Sequence, residues 1–168
     1  MTDSKRKIVE IIIGSLLVIF GCVIFYEASI GFLFVYNKVG VSWEEISLLK
    51  VLYNYNFIAS IVLFVSGILL MMRKKIGWIG SIIMSFFSAI LLLINLFGRF
   101  VKGYEYVSTD SSYLIFYGVL IILFLAIGGM LLHKSFIKKY QPTKGIWILM
   151  LLFIIVLIVN EAFVKPIT

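Results

Sequence analysis

The sequence predicts an all-α fold: a polytopic transmembrane helical bundle of five spans, with the N-terminus cytoplasmic and the C-terminus outside. Three observations carry that expectation. The chain is 62% hydrophobic and 14% charged, whereas soluble domains run to about 45–50% apolar and about 25% charged. Its apolar residues gather into five stretches close to bilayer length, a span needing about 20 residues at about 1.5 Å rise. Lys and Arg fall in the connections alternately heavy and light, the pattern by which membrane proteins fix their orientation.

A mean hydropathy of +1.14 leaves too little polar surface to cover a water-soluble protein of 168 residues. Composition therefore excludes a soluble enzyme, a nucleic-acid-binding domain and a disordered tail. The net charge of +7 reads as a topology signal rather than as a nucleic-acid footprint. The connections are too short to hold a further domain, so residues 1–168 read as a single transmembrane domain.

The first span covers residues 8–36, behind Lys5-Arg6-Lys7. It carries small pairs every seven residues: Gly14-Ser15, Gly21-Cys22 and Ala28-Ser29. A seven-residue period keeps one seam toward a partner helix, and small residues mark helix contacts where lipid removes the hydrophobic drive for association. In the outer connection, Ser42-Trp43-Glu44-Glu45 reads as a capping box that opens a short interfacial helix over 42–50, or a lid. The second span, 51–72, repeats the device with Ala59-Ser60 and Ser66-Gly67. After Arg73-Lys74-Lys75 the third span, 76–98, places Gly77, Ser81, Ser85 and Ala89 four residues apart. The fourth covers 113–132 and the fifth 145–164. The fifth has no small residue between Gly145 and Ala162, so spans one to three are expected at the packed centre and span five against lipid. A faint parallel repeat relates Ser66-Gly67-Ile68-Leu69-Leu70 and Gly77-Trp78 to Gly128-Gly129-Met130-Leu131-Leu132 and Gly145-Ile146-Trp147.

Orientation follows from the basic residues. The N-terminal run, the second-to-third turn and the fourth-to-fifth loop (Lys134, Lys138, Lys139, Lys144) hold ten of the fifteen, so they belong on the cytoplasmic side. Eight of the nine tyrosines fall near the opposite face. Trp78 and Trp147 each follow a basic loop, where an interfacial indole is expected to reach headgroups while its ring stays in lipid.

Few residues offer chemistry. His133 is the only histidine and Cys22 the only cysteine, so no multi-histidine metal site and no intrachain disulfide is expected. No Gly-rich loop ends in GK[ST], and no cofactor site is expected. Lys5-Arg6-Lys7, an apolar run and Ile19-Phe20-Gly21-Cys22 resemble a lipoprotein signal. Phe20 is too large for that signal, however, and the apolar run continues to Tyr36, so Cys22 reads as a seam residue. One polar constellation sits about a turn below the outer face: Glu27, Asn54, Asn56, Asn95, Arg99, Asn160 and Glu161. A carboxylate at that depth is expected to face the bundle, with Arg99 as partner and Lys102 as the second choice. The cluster reads either as a vestibule for a small polar ligand, ion or headgroup, or as a clip between helices.

These features point to a small accessory or interaction subunit without enzymatic activity. Its expected partners are the lipid bilayer and either a second copy or another membrane protein. A channel or transporter subunit that forms a pore on oligomerisation is the second reading, and an outer-leaflet lipid-modifying enzyme using Glu27 and Arg99 is the third. Small size, compact loops and Lys/Ile/Phe-rich usage suggest a bacterial cytoplasmic membrane.

Overall fold

The computed structural model describes residues 2–39, 55–102 and 111–159, with side chains over 2–30, 57–94, 96 and 114–159. Six helices and no strand occur among the described residues. They are α1 (Asp3–Val39), α2 (Tyr55–Met71), α3 (Lys75–Lys102), α4 (Ser111–Leu131), α5 (Lys134–Tyr140) and α6 (Lys144–Val159). Three stretches are long and apolar enough to cross a bilayer: Asp3–Ile30, Lys75–Ile94 and Leu114–Leu131. A fourth arises if α5 and α6, bent by 113°, are taken together, while α2 is apolar but shorter. This is the composition of a membrane protein. The helix expected over 42–50 lies outside the described residues.

The chain divides into two compact units, Met1–Ser81 and Ile82–Thr168. In the first, Glu10, Ile13, Gly14, Leu17, Gly21 and Ala28 form the buried stripe of α1, at the three- and four-residue spacing of one helix face. Ser60, Leu63, Ser66, Gly67 and Leu70 form the matching stripe of α2. The helices meet backbone to backbone. A Cβ on Gly14 would lie 2.5 Å from Met71 Cγ and 2.7 Å from the Gly67 carbonyl oxygen. A Cβ on Gly67 would lie 2.6 Å from the Gly14 oxygen. Seven residues further along α1, a Cβ on Gly21 would come within 2.9 Å of the Ser60 oxygen and the Phe64 nitrogen. Beyond that, Phe25 and Phe57 meet edge to face, their centroids 5.4 Å apart. Each step forward on α1 is matched by a step back on α2, so this is one antiparallel hairpin in a single register. Ala59 is half-buried, and its neighbour Ser60 is the inward residue of that pair.

The α2–α3 connection is a Schellman turn. The Lys74 N–H donates to the Leu69 carbonyl at 2.9 Å and the Arg73 N–H to the Leu70 carbonyl at 2.8 Å, the paired bonds that close a helix C-terminus. α3 then folds back onto α2. Gly77 lies directly against the backbone of Leu69 and Leu70, Gly80 lies against Ser66, and Ser81 Oγ donates to the Ser66 carbonyl at 3.4 Å. This close approach encloses the residue that follows Gly77. Trp78 is wholly buried, so it is not the lipid-facing anchor that its place after a basic turn suggested.

In the second unit, the α3 residues Ile82, Met84, Ser85, Phe87, Ser88 and Ala89 are buried. α4 buries Ile121, Phe124, Ile127, Gly128 and Leu131, again a single helical stripe. A Cβ on Gly128 would stand 3.0 Å from the Phe86 ring, so the glycine admits that ring. His133 breaks the chain out of α4 in an extended conformation, and its Nδ1 accepts the Ser135 N–H at 3.2 Å as the N-cap of α5. Gln141, left-handed at φ 42°, ends α5, and Pro142 prevents continuation. α6 buries Met150, while Ile148, Leu149, Leu151, Leu152, Phe153, Ile155 and Val156 are exposed. Apolar exposure on this scale is untenable in water and ordinary in hydrocarbon.

The packing predicts unequal effects for two substitutions. Gly21→Leu forces a branched side chain against the α2 backbone and should destabilise the protein by about 1–3 kcal/mol through overpacking. Ile155→Leu, at an exposed position on α6, should stay within about 0.5 kcal/mol. Thermal unfolding in detergent compares them, and equal shifts would refute this packing.

Candidate functional site

Of the seven residues in the outer polar constellation, only Glu27 has a described side chain. It is exposed, and its neighbour Ala28 is the buried residue. The reason is helical phase. The stripe through Gly14, Gly21 and Ala28 points into the hairpin, and Glu27 sits about 100° away from it. Asn56 lies in α2 and Asn95 and Arg99 in α3 by backbone, with side chains outside those described. Asn54, Asn160 and Glu161 lie outside the described residues altogether.

A charged site does stand at the opposite end of the first hairpin. Glu10 has no exposed surface. Its Oε2 accepts from Arg73 Nε at 3.0 Å, and Arg73 Nη2 donates to Asp3 Oδ1 at 2.8 Å. Arg6 donates to the same Asp3 oxygen from one turn along α1. Asp3, Arg6 and Glu10, spaced three and four residues apart, occupy one face of α1. Two carboxylates and two guanidiniums thus meet, and their charges balance. Arg73 is bonded to both acids through separate arms of its planar fork, an arrangement that suits Arg better than Lys. The bond to Asp3, opposed by some desolvation and reinforced by the Asp3 and Glu10 charges, holds the Arg73 guanidinium above its ordinary pKa.

The backbone at Arg73 is equally informative. Its φ is 60°, so it fills the left-handed position of the Schellman turn where glycine is the usual residue. A residue with a Cβ is disfavoured there. Here that position launches the side chain back along the hairpin to Glu10 and Asp3.

This network escaped the sequence reading, which counted Arg6 and Arg73 only as topology charges. Two signals were available. Glu10 is an acid inside the first apolar run, where a carboxylate needs a partner. Arg is scarce among the basic residues, three against twelve Lys, and two of those three stand in the basic runs at this end of the hairpin.

A second feature lies on the flank of the hairpin. Gly21, Cys22, Phe25, Ser60, Ile61 and Phe64 line an open, almost wholly apolar groove of about 320 Å³, with Cys22 exposed. In the groove itself the Ser60 hydroxyl is spent within α2, donating to the Phe57 carbonyl at 2.7 Å, and elsewhere in the hairpin Ser15 Oγ donates across to Met71 Sδ at 3.6 Å. Among the described residues no three His, Cys, Asp or Glu side chains gather to hold a metal ion. No protein-family model, no curated protein and no solved structure matches this chain.

A double-mutant cycle tests the buried pair. Arg73→Gln leaves the buried Glu10 carboxylate without the Arg73 guanidinium, and Glu10→Gln removes one of the two carboxylates that hold Arg73. Each should lower the unfolding temperature in detergent, and the double variant should lose less than the sum, because neither charge is then stranded. Arg73→Gly, which relieves the left-handed backbone, should still destabilise. Additive losses in the cycle would show that the pair does not act as a unit.

Proposed function

We propose that this chain is a non-enzymatic accessory subunit of a bacterial cytoplasmic membrane, which associates laterally with a second copy or with another membrane component. It crosses the bilayer five times, N-terminus inside and C-terminus outside. α1, α2, α3 and α4 supply the first four spans and α6 the fifth, with α5 lying at the cytoplasmic interface. The Arg73–Asp3 bond of 2.8 Å supports the orientation, because it places the N-terminal basic run beside the α2–α3 basic turn at one end of the hairpin.

The observation that carries the assembly reading is the groove between α1 and α2. Helices associate in lipid through close van der Waals fit at small residues. This groove offers Gly21, Cys22 and Ser60 between two phenylalanines, a notch into which an apolar helix ridge fits. The exposed Ile19 and Val23 on the same helix supply the corresponding ridge on a second copy.

Two experiments test these statements. A reporter active only in the cytoplasm should work when fused after Lys75 or Gln141 and fail after Thr168; activity at Thr168 would mean an even number of spans. Cys22 is the only thiol, so mild oxidation of native membranes should give a disulfide-linked dimer of about twice 19.2 kDa that Cys22→Ser abolishes. If a short maleimide-photoreactive probe on Cys22 captures neither a second copy nor another membrane protein, the groove is not an assembly face.

A further inference from the structure

By sequence alone, residues 133–144 read as a basic loop between two apolar stretches. The structure makes it an oriented helix. Phe136 and Tyr140, four residues apart, are buried, and Lys134 and Lys138, also four apart, are exposed on the opposite stripe. Lys139 Nζ lies 4.6 Å from the centroid of the Tyr140 ring and donates to its hydroxyl at 3.1 Å. Lys144, at the start of α6, is exposed. The 113° bend between α5 and α6 leaves α5 about 23° from the membrane plane when α6 stands along the normal. The aromatic stripe packs against the protein, so the lysine stripe is the one turned outward, toward the headgroup region when α6 spans the bilayer.

The charge environment is lopsided. No Asp or Glu occurs between Asp110 and Glu161. At the N-terminal hairpin the two arginines are neutralised by Asp3 and Glu10, whereas the exposed Lys134, Lys138 and Lys144 have no carboxylate in their own stretch of chain. Lysine presents a mobile point charge rather than a fixed fork, which suits the phosphates of a fluid leaflet.

We propose that α5, with Lys134 and Lys138, and the start of α6, with Lys144, form a binding surface for the headgroups of anionic phospholipids in the cytoplasmic leaflet. The inference rests on the membrane-spanning reading and goes beyond it by naming a surface and a lipid class. The anionic phosphates supply the counter-charge that the local sequence omits. Phe136 and Tyr140 fix the depth at which the lysines meet them.

Trp147, one turn into α6 beyond Lys144, reports on this surface. The full-length protein is reconstituted in phosphatidylcholine vesicles that carry a minor fraction of brominated phosphatidylglycerol or, in parallel, brominated phosphatidylcholine. Bromine quenches indole fluorescence on contact, and the signal missing in Trp147→Phe isolates the reporter. Phosphatidylglycerol should quench Trp147 several-fold more than phosphatidylcholine at equal mole fraction, as expected where several lysines face an anionic leaflet. The excess should shrink in high salt. The triple variant Lys134→Gln, Lys138→Gln, Lys144→Gln should abolish it. The variant Lys5→Gln, Lys7→Gln, Lys74→Gln, with the same change in charge, should keep it. Equal quenching of the wild type by the two lipids overturns the proposal without recourse to any variant. So does an excess that survives the α5 triple substitution, or one that the other triple removes equally. Extraction of the protein from vesicles by alkaline carbonate would sink the membrane-spanning reading and this surface with it. Stable insertion without lipid preference sinks the surface alone.

Discussion

The ion pair between Arg73 and Glu10 sets the register on which the first hairpin depends. A buried carboxylate in an apolar helix is tolerated only beside a cation with good geometry, and one residue of slip between α1 and α2 would separate the two. The same slip would take Gly14 away from Gly67 and Gly21 away from Ser60, where a Cβ would stand within 2.9 Å of backbone. The pair and the glycines therefore enforce one alignment by different means. The ions reward a single register, and sterics forbid its neighbours. The left-handed backbone at Arg73 belongs to this arrangement, since it stores strain where a specific side-chain direction is required.

Helical character and the apolar stretches were legible because they follow from composition, which no tertiary contact alters. The seven-residue spacing of Gly14 and Gly21 was legible as a repeat, but the residues they meet were not: a partner is a property of register, and register is fixed partly by Glu10. Phase explains the reading of Glu27. Depth was inferred from position in the span, whereas the facing direction depends on which side of α1 the small residues claim, and that is the side of Ala28. Trp78 was assigned by its place after a basic turn, yet the glycines flanking it bring α3 so close to α2 that the indole is enclosed. α5 was hidden because seven residues are too few for periodicity to stand out from a loop, although the alternation of Phe136 and Tyr140 with Lys134 and Lys138 is visible once its bounds are known.

The basic residues divide by chemical type. In the N-terminal hairpin the arginines turn inward to carboxylates, while Lys5, Lys7 and Lys74 remain exposed. In the α5 region the exposed Lys134, Lys138 and Lys144 lie in a stretch of chain without Asp or Glu. Counting charges for topology treats all of these alike. Packing does not, because a planar fork can be committed to two acceptors at once, whereas an ammonium on a flexible stem keeps its freedom to follow lipid.

The glycine contacts between α1 and α2 carry a thermodynamic signature of their own. Glycine has no rotamers to lose, so bringing Gly14 onto Gly67 freezes little side-chain motion. On the proposed topology, in which α1 and α2 both span the bilayer, their faces leave hydrocarbon rather than water, and it is the removal of apolar surface from water that gives folding its large heat capacity change. Closure of this hairpin within the membrane should therefore have a heat capacity change near zero. Its stability would vary almost linearly with temperature, without the curvature that produces cold denaturation in water-soluble domains.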